Sequence, residues 1–265
     1  MDIKELKVVG KGAEKRNHPW EYARFRVISN ILKPYINKFS KPLNVLDIGC
    51  GDLFFINQFC KQFSALNPIA IAIDTAFDDE IISSFKKKYQ DSPIDVYKNF
   101  QDVQLKEGYA NIVFLLDVIE HIENNQDFLE FISQKSYITK NSFFLITVPA
   151  FNNLFSAHDK WLGHYRRYSQ KELKRTIEKA GFQYIKGGYF FFTLLLARII
   201  QKCLEILWKK RSKNINGIGN WSGSRISSIL FENILLCDYF VSKLFFLIGI
   251  KIPGLSTYIL CKPQL

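Results

Sequence analysis

Val45-Leu46-Asp47-Ile48-Gly49-Cys50-Gly51-Asp52 is the stretch on which the reading of this chain turns. The apolar run from Leu43 to Ile48 ends in two glycines one residue apart, and an apolar segment beginning at Leu53 follows. That order spells strand, tight turn and helix, the unit at which open α/β sheets bind nucleotide-like ligands. Glycine suits such a turn because positive backbone torsions and close ligand approach both exclude a side chain.

Working outward, Ile69-Ala70-Ile71-Ala72-Ile73 is a second apolar strand, ended by Asp74, 23 residues after Gly51. A carboxylate at that tip can accept both ribose hydroxyls of an adenosyl group. Asn111 to Leu116 reads as a third buried-type strand and ends at Asp117. A dinucleotide fingerprint would want another glycine at position 54, where this chain has Phe54. The turn carries Asp47 and Asp52 instead. Carboxylates repel a pyrophosphate but match the ammonium and sulfonium charges of S-adenosylmethionine, so the pattern points to that cofactor rather than to a nicotinamide dinucleotide.

The rest of the chain continues the alternation. Residues 16–38 are predicted as a helix with Tyr22, Phe25, Ile28, Ile31 and Leu32 on one side and a break at Pro34. Strands are predicted at 43–48, 69–73, 94–98, 111–116, 143–148, 182–186 and 255–261. Helices are predicted at 52–65, 78–89, 123–136 and 170–180, the last capped by Ser169 and ended by Gly181. This makes an α/β fold, a doubly wound and mostly parallel seven-stranded sheet forming a single domain over residues 1–265, with 16–38 as an N-terminal cap helix. Residues 151–168 form an insertion dense in His, Asp, Arg and aromatic residues. The five cysteines have no paired or metal-type spacing and read as reduced thiols. The first residues do not spell a signal peptide, which directs the expectation to the cytoplasm.

These residues carry a resemblance. Val45 to Asp52, Asp74 and Asp117-Val118-Ile119-Glu120-His121-Ile122 resemble the signature blocks of the class I S-adenosylmethionine-dependent methyltransferases. Leu145 to Ala150, Ser156 to Tyr168, His18 to Arg24 and Pro253 to Thr257 resemble a bacterial subgroup of that class, so the resemblance spans nearly the whole chain. It implies a Rossmann-like methyltransferase fold, S-adenosylmethionine as cofactor and a crevice along the carboxyl ends of the strands. On that map Gly49, Cys50 and Gly51 cradle the cofactor through the main chain. Asp47 faces its ammonium group, Asp74 its ribose and Asn99 its adenine, while Asp117 and Val118 flank it.

His164, His121 and His158 map to the crevice as candidate bases, His164 foremost because the insertion overlies the acceptor side. Each also has a structural reading, a ring bonded to a backbone carbonyl. Arg166 and Arg167 form either a clamp on an acceptor carboxylate or phosphate, or a solvated surface pair. Tyr165 and Tyr168 are candidate pocket walls, and the resemblance implies that Trp20 and Arg24 close the pocket. Asp117-x-x-Glu120-His121 with a later histidine resembles the E-x-x-E-H metal motif of small-RNA 2′-O-methyltransferases and ubiquinone-pathway O-methyltransferases. Asp117 shortens the reach of the first ligand, which leaves a divalent metal open.

Two tail segments, 189–208 and 229–250, read as apolar helices, a hairpin inserted before the last strand. One stripe of the first carries Arg198, Gln201, Lys202, Glu205 and Lys209. Neither segment is charge-free over the roughly 20 residues that a membrane span needs. The pair reads either as packed on the sheet or as lying on a membrane, with Lys209, Lys210 and Arg211 at anionic headgroups. Residues 151–265 hold 18 Lys+Arg against 6 Asp+Glu, and residues 1–150 hold 18 against 19. The basic surplus therefore belongs to the C-terminal part. It suits an anionic membrane, a phosphate-bearing acceptor or nucleic acid, although no RNA-binding module is recognisable. The leading expectation is O-methylation of a lipid-linked, isoprenoid or glycan-type small acceptor at the inner face of a membrane, with peripheral contact through 189–250. Its rivals are RNA methylation and a cofactor-binding partner protein without catalysis.

Overall fold

The inner parallel strands are apolar along almost their whole length because both of their faces are covered. The computed structural model describes residues 18–103, 109–207, 221 and 223–264. Helix α1 (Pro19–Ile36) leads into β1 (Asn44–Ile48), α2 (Phe54–Gln62), β2 (Ile69–Ile73), α3 (Asp79–Lys88) and β3 (Ile94–Tyr97). Then come β4 (Ile112–Leu116), α4 (Asn125–Ser133), β5 (Phe143–Pro149), the short α5 (Ala157–Leu162), α6 (Gln170–Lys179) and β6 (Phe182–Phe190). Helices α7 (Phe192–Leu207) and α8 (Arg225–Leu247) precede β7 (Ser256–Pro263).

The seven strands form one sheet in the order β3-β2-β1-β4-β5-β7-β6. Leu46 pairs in parallel with Ile71 of β2 and with Val113 of β4, whereas β7 runs antiparallel between β5 and β6. The chain reverses its direction of travel between β1 and β4, which opens a crevice at their carboxyl ends. Alternate residues of β4 feed two cores: Ile112, Phe114 and Leu116 pack under α1 and α2, and Val113 and Leu115 pack under α4 and α6.

Several boundaries differ from the predicted ones. Pro34 does not break α1, which runs two residues further. Only the last turn lies beyond the proline, and the buried Ile31, Leu32 and Ile36 hold that turn on the core. Strand β6 runs to Phe190 rather than 186, because Gly187 to Phe190 pair with Ile259 to Ser256, so the first tail helix starts at Phe192. Residues 16, 17 and 208 and the basic stretch Lys209 to Arg211 lie outside the described residues.

Helix α8 lies along α1. Its Leu235, Leu236 and Tyr239 are buried, and Arg26 Nε of α1 stands 3.1 Å from Glu232 Oε1. On α7 Lys202 donates from Nζ to the carbonyl of Asn153, and Leu196, Ile199, Ile200 and Leu204 are exposed. Among the described residues no helix is long and apolar enough to cross a membrane.

Candidate active site

The turn after β1 is built to bring a ligand against backbone. Gly49 has φ +71°, and a Cβ there would sit 2.6 Å from Val118 Cγ2. Gly49 N donates to the carbonyl of Ile73 (2.7 Å), and Gly51 N donates to Asp74 Oδ2 (3.0 Å). Asp74 Oδ1 accepts from Ala76 N at 2.9 Å. Asp74 thus ties the glycine turn to the tip of β2 while staying half-exposed to the crevice. Three residues other than glycine with positive φ gather at this edge: Leu53 (63°), Asp117 (58°) and Phe151 (62°). Such strain collects where the fold positions a ligand or a reacting group.

Asp47, one residue from the end of β1, is 2% exposed. Burial pushes its carboxyl up to about 8, against the pull of Arg24. Burial likewise raises the Cys50 thiol well above its usual value, so Cys50 contributes backbone and packing rather than a thiolate.

Arg24 reaches from α1 into the same place. Its Nη2 lies 2.9 Å from Asp117 Oδ2 and donates to Thr147 Oγ1 at 3.1 Å, and Thr147 Oγ1 donates to Asp117 Oδ1. The guanidinium also sits 5.1 Å from the Trp20 ring centre. Three elements, α1, β4 and β5, are therefore locked at the mouth of the crevice by one ionic triangle.

The insertion supplies the second half of the site. Ser156 and Asp159 form a capping box on α5, and Asp159 is fully buried. Its carboxylate takes His164 Nδ1 at 2.9 Å, Arg167 Nε at 2.8 Å and Arg167 Nη2 at 3.1 Å. Burial by itself would raise this carboxyl, but the hydrogen bonds from His164, Arg167 and Ser156 outweigh it and hold Asp159 well below the usual carboxylate range. An ionised Asp159 accepts only, so His164 Nδ1 donates, and in the neutral ring that tautomer puts the lone pair on Nε2. Tyr165 N donates to the carbonyl of Glu120 (2.8 Å), which brings the loop onto the segment after β4. There the His121 and His164 rings meet edge to face with centroids 4.5 Å apart.

Glu120 is 0% exposed, and among the described residues neither of its carboxyl oxygens has a hydrogen-bond partner. Burial, then the neighbouring Asp117, raise its carboxyl well above the usual range. A buried carboxylate without partners is costly, so this group holds either a proton or a cation. Glu120, His121 and His164 each offer one ligand atom, all within 4.8 Å of one another. That nitrogen and oxygen donor set fits a divalent transition metal.

The remaining predicted site residues have other partners. Arg167 is engaged by Asp159 rather than open to an acceptor, and Tyr168 is a core residue whose hydroxyl meets Asn125 and donates to the carbonyl of Ile119. Arg166 donates to the carbonyl of Glu123, and Tyr165 is 53% exposed. His158 stacks on Trp161, and burial lowers its ring below the usual histidine value. Asn99 lies exposed after β3 and donates to Asp102. The sequence reading missed Asp159 as a functional residue. The Ser156-x-x-Asp159 spacing, five residues before a histidine, was the available signal.

The sequence profile described as "Methyltransferase domain" matches residues 20–187. The chain belongs to this methyltransferase family. It is 31% identical over 109 residues to a protein named ubiquinone biosynthesis O-methyltransferase from Rickettsia bellii, covering 40% of this chain and 42% of that one. It is 28% identical over 144 residues to the mitochondrial ubiquinone biosynthesis O-methyltransferase of Dictyostelium discoideum, covering 47% and 44%. The chain therefore spans less than half the length of these curated relatives. Among solved structures it resembles Haemonchus contortus phosphoethanolamine N-methyltransferase 2 in complex with S-adenosyl-L-methionine. That match has a TM-score of 0.54 and 14% identity, over 91% of this chain and 52% of that one, a likeness of fold. The methyltransferase domain takes S-adenosylmethionine as cofactor.

Proposed function

We propose that this methyltransferase domain methylates a hydroxyl of a small apolar acceptor, of the isoprenoid or lipid-linked type, presented at a membrane surface. The observation that carries the reading is the buried Asp159–His164 pair against His121 of the segment after β4. A histidine whose Nδ1 is fixed by an ionised carboxylate keeps Nε2 ready to take a proton from an acceptor hydroxyl.

S-adenosylmethionine bound in the crevice supplies an electrophilic methyl carbon on a positively charged sulfur. Gly49 and Gly51 would offer backbone to it, Asp74 would take its ribose hydroxyls, and Asp47 would give up its proton and face the ammonium charge. The Arg24–Asp117–Thr147 triangle holds the mouth rigid, and alignment supplies much of the rate in a displacement of this kind. The proton released from the acceptor oxygen goes to His164 Nε2.

The orphaned oxygens of Glu120 favour a second use of the same cluster. A divalent cation held by Glu120, His121 and His164 would supply Lewis-acid activation of the acceptor hydroxyl. The relatives named for ubiquinone biosynthesis direct the choice of acceptor. Transfer of radiolabelled methyl to an isoprenoid-bearing phenol, lost in Asp74→Ala and in His164→Ala, is the expected result. Label transferred to RNA but to no phenolic or lipid-linked hydroxyl would overturn the reading.

A further inference from the structure

The outer face of the tail helices has its amphipathicity inverted. On α8 the exposed positions include Ile226, Ile229, Leu230, Ile234, Phe240, Val241, Leu244 and Leu247, at helical spacing along one side. On a helix of a water-soluble domain that side is polar. Both acidic residues of α8 are used elsewhere: Asp238 Oδ2 accepts from Thr193 N (2.7 Å) and Oγ1 (2.9 Å), and Glu232 faces Arg26. The exposed apolar side is thus without a neighbouring carboxylate from its own helix. An apolar face of this extent, interrupted on α8 by Asn233, marks a surface with a partner.

The partner's charge is written beside it. A cleft of about 570 Å³ opens between α6, β6 and the C-terminal half of α8. Among the described residues five lysines line it, Lys171, Lys174, Lys186, Lys243 and Lys251, and no acidic residue does. Lys171 and Lys174 come from α6, Lys186 from β6, Lys243 from α8 and Lys251 from the segment before β7. Lys186 is half-buried, and its burial together with Lys243 lowers its ammonium below the ordinary lysine value. Lys174 is partly balanced by Glu178, 3.6 Å away. Lys243, which lines the cleft, stands one helical turn from Phe240 and Leu247 of the apolar side, so the lysine cleft borders the apolar face.

We propose that α7 and α8 dock this chain on an anionic phospholipid surface, with the lysine cleft receiving a phosphate-bearing lipid headgroup. Apolar side chains entering the acyl boundary beside lysines at headgroup depth is how an interfacial helix binds. The cleft lies on the β6 side of the sheet, apart from the crevice at β1 and β4, so headgroup and cofactor do not compete. The inference rests on the membrane-surface part of the proposed function, and its test separates the two.

The test is co-sedimentation of the full chain with vesicles of phosphatidylcholine alone and of phosphatidylcholine with phosphatidylglycerol. The expected result is about tenfold tighter binding to the anionic vesicles. Lys186→Glu/Lys243→Glu abolishes that preference while S-adenosylhomocysteine binding stays unchanged. Leu244→Ser/Leu247→Ser weakens binding to both vesicles. Lys171→Glu/Lys251→Glu, at exposed rim positions, weakens the preference without touching the half-buried Lys186 and keeps the test valid if the first pair fails to fold. An undiminished preference in both lysine pairs overturns the cleft and leaves the membrane reading standing. Failure of the wild type to sediment with either vesicle overturns both. A dimer in light scattering that Leu244→Ser/Leu247→Ser dissociates, with no vesicle binding, gives the apolar face to a second copy and overturns the proposal.

Discussion

His164 Nδ1 and Asp159 Oδ1 stand 2.9 Å apart, with the histidine side chain 6% and the carboxylate 1% exposed. Asp159→Asn keeps the shape but removes the charge that selects the tautomer. Its kcat should fall by about a thousandfold, as should that of His164→Ala, while S-adenosylhomocysteine affinity measured by calorimetry stays nearly constant. An Asp159→Asn enzyme with more than half the wild-type rate would remove His164 from the proton path.

Asp47 gives the cofactor-free chain a pH dependence of known sign. Its carboxyl moves from an ordinary 3.8 to about 8 on folding. Between those values the unfolded chain has lost the proton that the folded chain keeps. Stability is therefore greatest below about pH 4 as far as this group is concerned, and it declines as pH rises through 8. The slope approaches about 1.4 kcal/mol per pH unit. Urea unfolding of wild type and Asp47→Asn across that range should give a difference that narrows as pH falls, and an identical pH profile for the two would contradict the assignment.

Gly49→Ala meets two obstacles, a φ of +71° and Val118 Cγ2 at 2.6 Å from the new Cβ. Together they should cost about 2–3 kcal/mol. Adding Val118→Ala should recover the steric part and leave the torsional part, which a double-mutant cycle by chemical denaturation reads directly.

Breaking the ionic triangle leaves Asp117 facing Thr147 alone. Arg24→Met should lose about 1–3 kcal/mol of stability and weaken S-adenosylhomocysteine binding through the displaced α1. With Asp117→Asn already present, the same change should cost clearly less. Additive effects would mean that the 2.9 Å contact carries no coupling.

Glu120 separates the two uses of its cluster. If it holds a cation, manganese added after chelation raises the thermal midpoint of the wild type and leaves Glu120→Gln unmoved. If it holds a proton, manganese moves neither, and Glu120→Gln is at least as stable as the wild type because a neutral amide replaces a neutral acid.

Much of this chain was legible one residue at a time. The β1 turn, Asp74 at the tip of β2 and the alternation of buried strands with helices follow from local rules: a glycine where a torsion forbids a side chain, apolar runs where both faces are covered. The sheet order then sets Gly49, Asp74 and Asp117 along one edge without further information. Boundaries at Pro34 and Phe190 were not legible, because packing of the last turn of α1 and pairing with β7 override the local signal. The partners of Asp159 were also hidden. Its capping box is local, but Arg167 and His164 reach it only after the loop folds back on Glu120. Likewise, composition shows a basic C-terminal part, yet the five lysines of the cleft come from elements spread over 81 positions, 171 to 251, and no spacing joins them. Backbone torsion and hydrophobic period are properties of neighbours in sequence. Charge meeting charge, and an apolar helix face left without cover, are properties of neighbours in space, which only the tertiary structure decides.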